Sequence, residues 1–202
     1  KLPAVKFSRI NIMAHTAVES KNPARLTKAV TRGLREAAVI LLGAVALMLL
    51  VALASFDAGD PGFSFTGGSG EVHNLIGRGG AWFADVLFFL FGWPAFLFPL
   101  MLGVACVTMF RHRDDADPGS RTNTLLRVGG FVTMLIASCA LATLHWGAGS
   151  LRQSAGGVVG SALGSSVVGN LSFLGATLLL LACWMAAVSL AFGVSWLGVM
   201  DR

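Results

Sequence analysis

Asp85 stands where an apolar segment begins, and it is the first residue to consider for chemistry in this chain. A carboxyl group inside a membrane can carry ions or protons when other ionisable groups lie within reach. No other acid or base lies inside the uncharged apolar stretches 37–56, 86–110, 128–144 and 171–196, so such a relay lacks its further members. The sequence favours a structural role, in which Asp85 lies near a helix beginning and pairs with Arg78 or Arg152. We predict Arg78 and Asp85 to be a polar pair on the outer face.

A second candidate is the serine of Gly67-Gly68-Ser69-Gly70, which has the GxSG form found in intramembrane serine proteases. His145 is a conceivable base for it. The serine, however, lies in a turn-rich loop, whereas such proteases keep the nucleophile buried within a span. The sequence therefore disfavours a protease.

Nucleotide and metal chemistry find little support in the residue spacing. A phosphate-binding loop needs a glycine-rich run that ends in Lys-Ser/Thr, but every lysine lies at or before Lys28 and the first glycine is Gly33. The histidines are too scattered for a metal site: His15, His73, His112 and His145. We predict no catalytic, cofactor-binding or metal-binding residue and no enzymatic activity in this fragment.

The elements that must position these residues are four long apolar stretches. Hydrophobic residues make up 55% of the chain and charged residues 12%, which leaves too little polar material to coat a soluble globule. Each stretch approaches or exceeds the ~20 residues that cross a bilayer as a helix. We predict an all-α membrane protein with four transmembrane helices, at residues 37–56, 86–110, 128–146 and 171–196.

The basic residues predict the orientation, because lysine and arginine are retained on the cytoplasmic side. Thirteen of the fifteen lie before the first span, between the second and third, or after the fourth. We therefore predict cytoplasmic N- and C-termini, a cytoplasmic loop at 111–127 and periplasmic segments at 57–85 and 147–170. The expected location is the bacterial inner membrane.

The segment before the first span divides into a disordered tail, 1–24, and a basic amphipathic helix, 25–36. Asn22-Pro23 has the form of a helix start. The basic stripe could contact anionic lipid or only fix the topology, and DNA binding is a weaker third interpretation. The predicted lipid-contacting residues are Arg25, Lys28, Arg32 and Arg35.

Glycine and proline mark three further features. Gly156, Gly160 and Gly164 recur every four residues, which favours a short surface or re-entrant helix in the second outer segment over a flexible linker. Pro94 and Pro99 are expected to kink the second span. The fourth span carries a stripe of small residues predicted to pack against helices of this chain or of another copy: Gly175, Ala182, Ala186, Ser189 and Gly193.

Two stretches around the first outer segment resemble a known family. Asp60-Pro61-Gly62-Phe63-Ser64 is similar to the Asp-Pro-x-aromatic-Ser element of the FtsK/SpoIIIE DNA translocases. Residues 74–88, followed by Phe91-Gly92, resemble the N-x-x-G-x-x-G-A-x-x-A-D-x-L-F pattern of the same family. Gly156-Gly157-Val158-Val159-Gly160 and Ser195-Trp196 are also similar. The likeness is to the family's N-terminal four-helix membrane region and covers most of residues 25–202.

The resemblance implies the membrane anchor of a septal DNA translocase, which tethers a cytoplasmic DNA-pumping ATPase at the division site and contacts division proteins. The expected partners are the bilayer, membrane proteins of the septum and, through the motor, further copies. No direct nucleic-acid contact is expected in this fragment. ATP and Mg are expected only in the motor, which we take to follow a linker that starts at 197–202. Met13-Ala14 is the expected true beginning.

A small four-helix transporter or channel subunit is the alternative function. Transport normally requires polar or ionisable groups near the bilayer midplane, or discontinuous helices. Of these features, the sequence offers only Pro94 and Pro99 in the second span.

Overall fold

The computed structural model describes residues 23–66, 71–111 and 120–192, with the backbone alone at 23–29, 111 and 120–123. Several predictions lie outside these residues. They are residues 1–22 of the predicted disordered tail, the side chains of Arg25 and Lys28, the Gly67–Gly70 motif, Gly193 and the linker start at 197–202. Pro23 and Ala24, the last residues of the predicted tail, are helical.

The described chain is helical and contains no strand within those ranges. Its helices are α1 (Pro23–Ala54), α2 (Gly77–Phe91), a 3-10 turn (Trp93–Phe96), α3 (Leu97–Arg111), α4 (Ser120–His145), α5 (Gly157–Asn170) and α6 (Phe173–Phe192). Four segments are long and apolar enough to cross a membrane: Val30–Ala54, Trp93–Phe110, Thr124–His145 and Phe173–Phe192. The prediction of an all-α protein with four transmembrane helices, and with a helical segment between the third and fourth, is thus confirmed.

Helix α1 begins at Pro23, the position that the sequence predicted for the first helical residue. The predicted juxtamembrane helix and first span are one uninterrupted helix, because no strong helix breaker lies between them. The chain divides into two compact units, residues 1–41 and 42–202. The second unit contains the helices and loops described below.

The predicted second span, residues 86–110, is two helices rather than one kinked helix. Helix α2 ends at Phe91, because Gly92 takes a φ of 63° that stops the helical path. Pro94 lies in the 3-10 turn that follows. Pro99 lies in the first turn of α3, where a proline removes no helical hydrogen bond. The prediction of a kink at Pro99 is therefore wrong. Near Pro94 the helix does not kink but breaks completely, and the break begins at Gly92.

Small and aromatic side chains form the core of the second unit. Ala52 and Leu53, at the end of α1, pack with Ala84 and Phe88 of α2. Helix α4 lies against α6, α5 and the 3-10 turn, and α5 also contacts α2. The core thus joins the end of α1 to the central helix α4 through the short helices.

Candidate functional site

The loops at one end of the second unit form a layer of buried polar contacts. We call it the loop layer: residues 55–66, 71–76 and 146–156, together with α2. The buried polar or charged residues of the described chain are Asp60, Asn74 and Asp85, and all three lie in this layer. No buried side-chain nitrogen or oxygen of the described residues lacks a hydrogen-bond partner.

Asp60 folds the first loop back on itself. Its carboxylate accepts hydrogen bonds from the backbone N–H groups of His73 and Asn74, both at 2.8 Å, and its Oδ1 lies 3.1 Å from Nδ1 of His73. Burial raises the pKa of Asp60, but these hydrogen bonds and the His73 imidazole outweigh it, so the pKa lies below its ordinary value. A charged Asp60 therefore stabilises this loop.

Asn74 connects the same loop to the end of α1. Its side-chain NH2 donates to the carbonyl of Ala52 at 2.7 Å and to that of Ser55 at 3.3 Å. These carbonyls lie at the end of a helix, where no intrahelical donor reaches them. The Asn74 oxygen accepts the N–H of Ile76 at 3.1 Å, just before α2. One side chain thus satisfies groups at the end of α1 and before α2.

Asp85 holds the first loop on α2. Its carboxylate accepts the backbone N–H of Ser64 at 2.5 Å and the Ser64 hydroxyl at 2.8 Å. Gly62 makes this approach feasible, since a Cβ there would lie 2.6 Å from Oδ2 of Asp85. The contact between the first loop and α2 thus requires Asp85, Ser64 and Gly62 together.

The predicted pair of Arg78 and Asp85 is not formed in the described structure. Arg78 is exposed, whereas Asp85 is buried and directs its oxygens to Ser64. Arg78 and Asp85 are seven residues apart, so their side chains lie on nearly the same helix face but two turns from each other. The Asp85 carboxylate instead accepts hydrogen bonds from Ser64 of the first loop. A structural role for Asp85 agrees with these contacts, but the predicted position near a helix beginning and the predicted partner were wrong, because Asp85 is the ninth of the fifteen residues of α2 and bonds to Ser64.

Arg152 joins the two loops. Its guanidinium donates to the carbonyl of Ala58 and lies over the ring of Phe65, 4.1 Å from the ring centre. A cavity beside it, lined by Ser64, Asp85 and Arg152 among others, measures about 10 Å³. That volume holds about one water molecule.

Glycines pack the short helices closely against their neighbours. Gly92 lies against the carbonyl of Ala155, which accepts the N–H of Trp93 at 2.8 Å. A Cβ at Gly160 would lie 2.3 Å from the carbonyl oxygen of Cys139 in α4. A Cβ at Gly156 would lie even closer to the same oxygen, whereas Gly164 faces Ala140 and Leu144 less tightly. The predicted small-residue ridge therefore exists, and it faces α4.

The predicted stripe on the fourth span does not carry the intramolecular contact. Ala182 and Ala186 are exposed, and Gly175 and Ser189 are half-buried. The buried residues of α6 are Ala176, Leu180, Ala187 and Ala191. At 100° per residue, these lie about a third of a turn away from the predicted stripe. Contact between copies through the exposed stripe stays a prediction.

The remaining predicted residues have ordinary surroundings. Arg32 is exposed and pairs with Glu36 at 3.1 Å, and Arg35 is half-buried. His145 lies 3.1 Å from the hydroxyl of Thr177 and packs on Phe173. The described residues contain no group of three or more metal-ligating side chains.

The geometry of the loop layer accounts for the two motifs singled out in the sequence, because Asp60, Gly62 and Ser64 of the first bond to or pack on residues of the second. A protein family described as the 4TM region of DNA translocase FtsK/SpoIIIE matches residues 31–202. The chain belongs to the FtsK/SpoIIIE family. The resemblance predicted from the motifs is confirmed.

Individual FtsK proteins agree with this assignment. DNA translocase FtsK of Pseudomonas putida is 38% identical over 169 residues, which cover 83% of this chain and 20% of that protein. The FtsK of Vibrio vulnificus is 36% identical over 168 residues, 83% of this chain and 17% of that protein. The chain thus spans about a fifth of the length of these relatives. No solved structure matches it.

Sequence reasoning found the FtsK/SpoIIIE motifs but not their contacts. Ser64 and Asp85 are 21 residues apart, and Asp60 and Asn74 are 14 apart, so no helical or strand period links them. One usable signal was present: an acid in an otherwise apolar helix requires a donor. The nearby Asp-Pro-Gly turn with its serine could have supplied that donor.

Proposed function

We propose that the chain is the membrane-anchor domain of a septal DNA translocase. It tethers a cytoplasmic DNA-pumping ATPase at the division site and contacts division proteins. Support comes from the family, from the four spans, and from relatives that are named DNA translocase and of which the matched residues cover about a fifth. The observation that carries the proposal is the loop layer, where the family-like motif residues hold loops together and leave only a water-sized cavity beside Asp85.

The proposed orientation places both termini in the cytoplasm and the loop layer in the periplasm. The distribution of lysine and arginine supports it. Single cysteines at positions 71 and 152 should react with impermeant reagents added from outside, and those at 28 and 120 only after the cytoplasmic side is opened. The reverse pattern would contradict this orientation.

The basic stripe before the first span is proposed to contact anionic lipid of the cytoplasmic leaflet. Arg32 and Arg35 belong to it, together with Arg25 and Lys28. Each basic residue near such a surface contributes about 1 kcal/mol. The Arg32–Glu36 pair offsets part of this charge, so Glu36→Gln should strengthen binding to anionic vesicles, while an unchanged affinity would argue for a topological role alone.

In this proposal, ATP, Mg and DNA bind to the motor domain, and these residues contact none of them. Assembly of several copies is proposed to depend on that motor.

A transporter fits the structure less well. Asp85 lies in α2, outside the four candidate spans, and Ser64 occupies its carboxylate. The break after α2 is also filled by protein, because Trp93 donates to Ala155 and the Cys139 thiol donates to the carbonyl of Phe91 at 3.4 Å. Proton or solute flux in proteoliposomes that Asp85→Asn abolishes would favour transport over the anchor.

Localisation in dividing cells tests the anchor itself. A fluorescent fusion of the chain should collect at the septum, at the same time as the full-length protein. Uniform envelope fluorescence, at equal abundance and with the full-length fusion at the septum, would refute the proposal that this domain carries the targeting.

A further inference from the structure

Helix α2 has two faces of different chemistry. One face is buried and comprises Gly80, Ala81, Ala84, Asp85 and Phe88. The other is exposed or half-buried and carries no charge beyond Arg78 at its start. That outer face consists of Gly79, Trp82, Phe83, Val86, Phe89 and Leu90.

The outer face is aromatic as well as apolar. Trp82 and Phe83 are 45% and 58% exposed. Phe63 of the first loop packs edge-on against Trp82 and Phe89, with ring centres 6.4 and 5.7 Å apart, and is itself 58% exposed. Loop and helix therefore present one continuous apolar surface, which no described part of the chain covers.

The length of the neighbouring span indicates where this surface lies. Trp93–Phe110 has 18 residues. At about 2.0 Å per residue in the 3-10 turn and 1.5 Å in α3, it is about 29 Å long, nearly the thickness of the hydrocarbon core. Helix α2 precedes it by one residue, and the break at Gly92 frees α2 from continuing its direction. The outer face of α2 thus begins near the depth where lipid headgroups replace acyl chains.

We propose that α2 is an interfacial helix whose outer face, with Phe63, is seated in the lipid at the membrane boundary on the loop-layer side. Tryptophan is enriched at this depth, and helices that lie in the interface bury an apolar face that carries Trp, Phe and Leu. The buried Asp60, Asn74 and Asp85 contacts then fix the loops above a lipid-held helix. The inference requires only that the spans lie in a bilayer and is independent of the division role.

Spin labels on the intact chain in proteoliposomes test this placement. Native cysteines are replaced by alanine, and the unfolding temperature is checked. Labels are placed at Phe83→Cys and at Gly79→Cys, where a new side chain meets no atom within 4 Å. Leu178→Cys is the lipid-facing control, since Leu178 is 60% exposed in a span, close to the 58% of Phe83. Glu71→Cys, exposed in the first loop, is the water control.

The proposal predicts that oxygen relaxes the labels at 79 and 83 more effectively than a water-soluble nickel complex does. The lipid-facing label at 178 should show the same preference, and the labels at 79 and 83 should lie at a shallower depth in the bilayer than the label at 178. The label at 71 should show the opposite preference. Nickel accessibility at 79 and 83 equal to that at 71 would overturn the proposal, and would leave the outer face of α2 open to a protein partner instead.

Discussion

The loop layer and the contact between α4 and α6 hold the same chain together in different ways. In the loop layer, three buried polar side chains pair with backbone groups that no helix satisfies. Between α4 and α6, alanines such as Ala187 and Ala191 let two helices approach. Two polar side-chain contacts join them, from Trp184 to Ser138 at 3.0 Å and between His145 and Thr177 at 3.1 Å. The difference shows that irregular backbone needs specific donors and acceptors, whereas helices with paired backbones need only small side chains.

The largest expected effect comes from a glycine substitution that breaks the contact between α5 and α4. Gly160→Ala should lower the free energy of unfolding by about 3 kcal/mol, because the new Cβ meets the backbone carbonyl of Cys139, which cannot rotate away. Gly169→Ala in the same helix is the matched control, since its Cβ meets no atom within 4 Å. Unfolding in detergent micelles measures both. Equal stability of the two variants would show that α5 does not pack on α4 as described.

A somewhat smaller effect distinguishes the two faces of α6. Ala187→Leu should cost about 2 kcal/mol, because three added carbons enter a closed contact at a residue that is 1% exposed. Ala182→Leu changes an exposed position and should be nearly neutral in the monomer. The reverse ranking would restore the predicted stripe as the intramolecular contact. A change in oligomeric state for Ala182→Leu alone would support contact between copies.

In the loop layer, Asp60→Ala should cost about 2 kcal/mol, since it leaves the N–H groups of His73 and Asn74 unpaired. Glu71→Ala, at an exposed acid in the same loop, is the control. Because the pKa of Asp60 is lowered on folding, its charge stabilises the protein above the ordinary value of 3.8, and this contribution is lost as the pH falls through the lower folded pKa. Asp60→Asn should therefore flatten the acid dependence of unfolding. An unchanged dependence would contradict a charged, bonded Asp60.

The smallest expected effect concerns the join between the two loops. Arg152→Ala removes the contact with Phe65 and the bond to Ala58, and should cost about 1 kcal/mol. Arg152→Lys retains the charge but not the planar guanidinium, so it should recover about half. Unfolding of the two variants side by side measures this. Full recovery by lysine would mean that charge alone matters here.

Much of the fold follows from hydropathy, and much of the site does not. Segment length and the lack of charge predicted four spans, and the spacing of Gly156, Gly160 and Gly164 predicted the helix contact of α5. The prediction of the packing face of α6 was wrong because this helix is apolar on all sides, so the periodicity of the sequence does not distinguish Ala182 from Ala187. The partner of Asp85 was missed because Ser64 reaches it only after the loop has folded.

The central claim is that this domain, through an intact loop layer, supports division as the membrane anchor of a translocase. Cell length in bacteria depleted of their own translocase tests it most directly, with full-length protein carrying each variant at equal membrane abundance. Wild type and Glu71→Ala should restore normal length, while Asp60→Ala should leave filaments. Equal rescue by all three would contradict the role of the loop layer, and failure of the wild type would contradict the anchor itself.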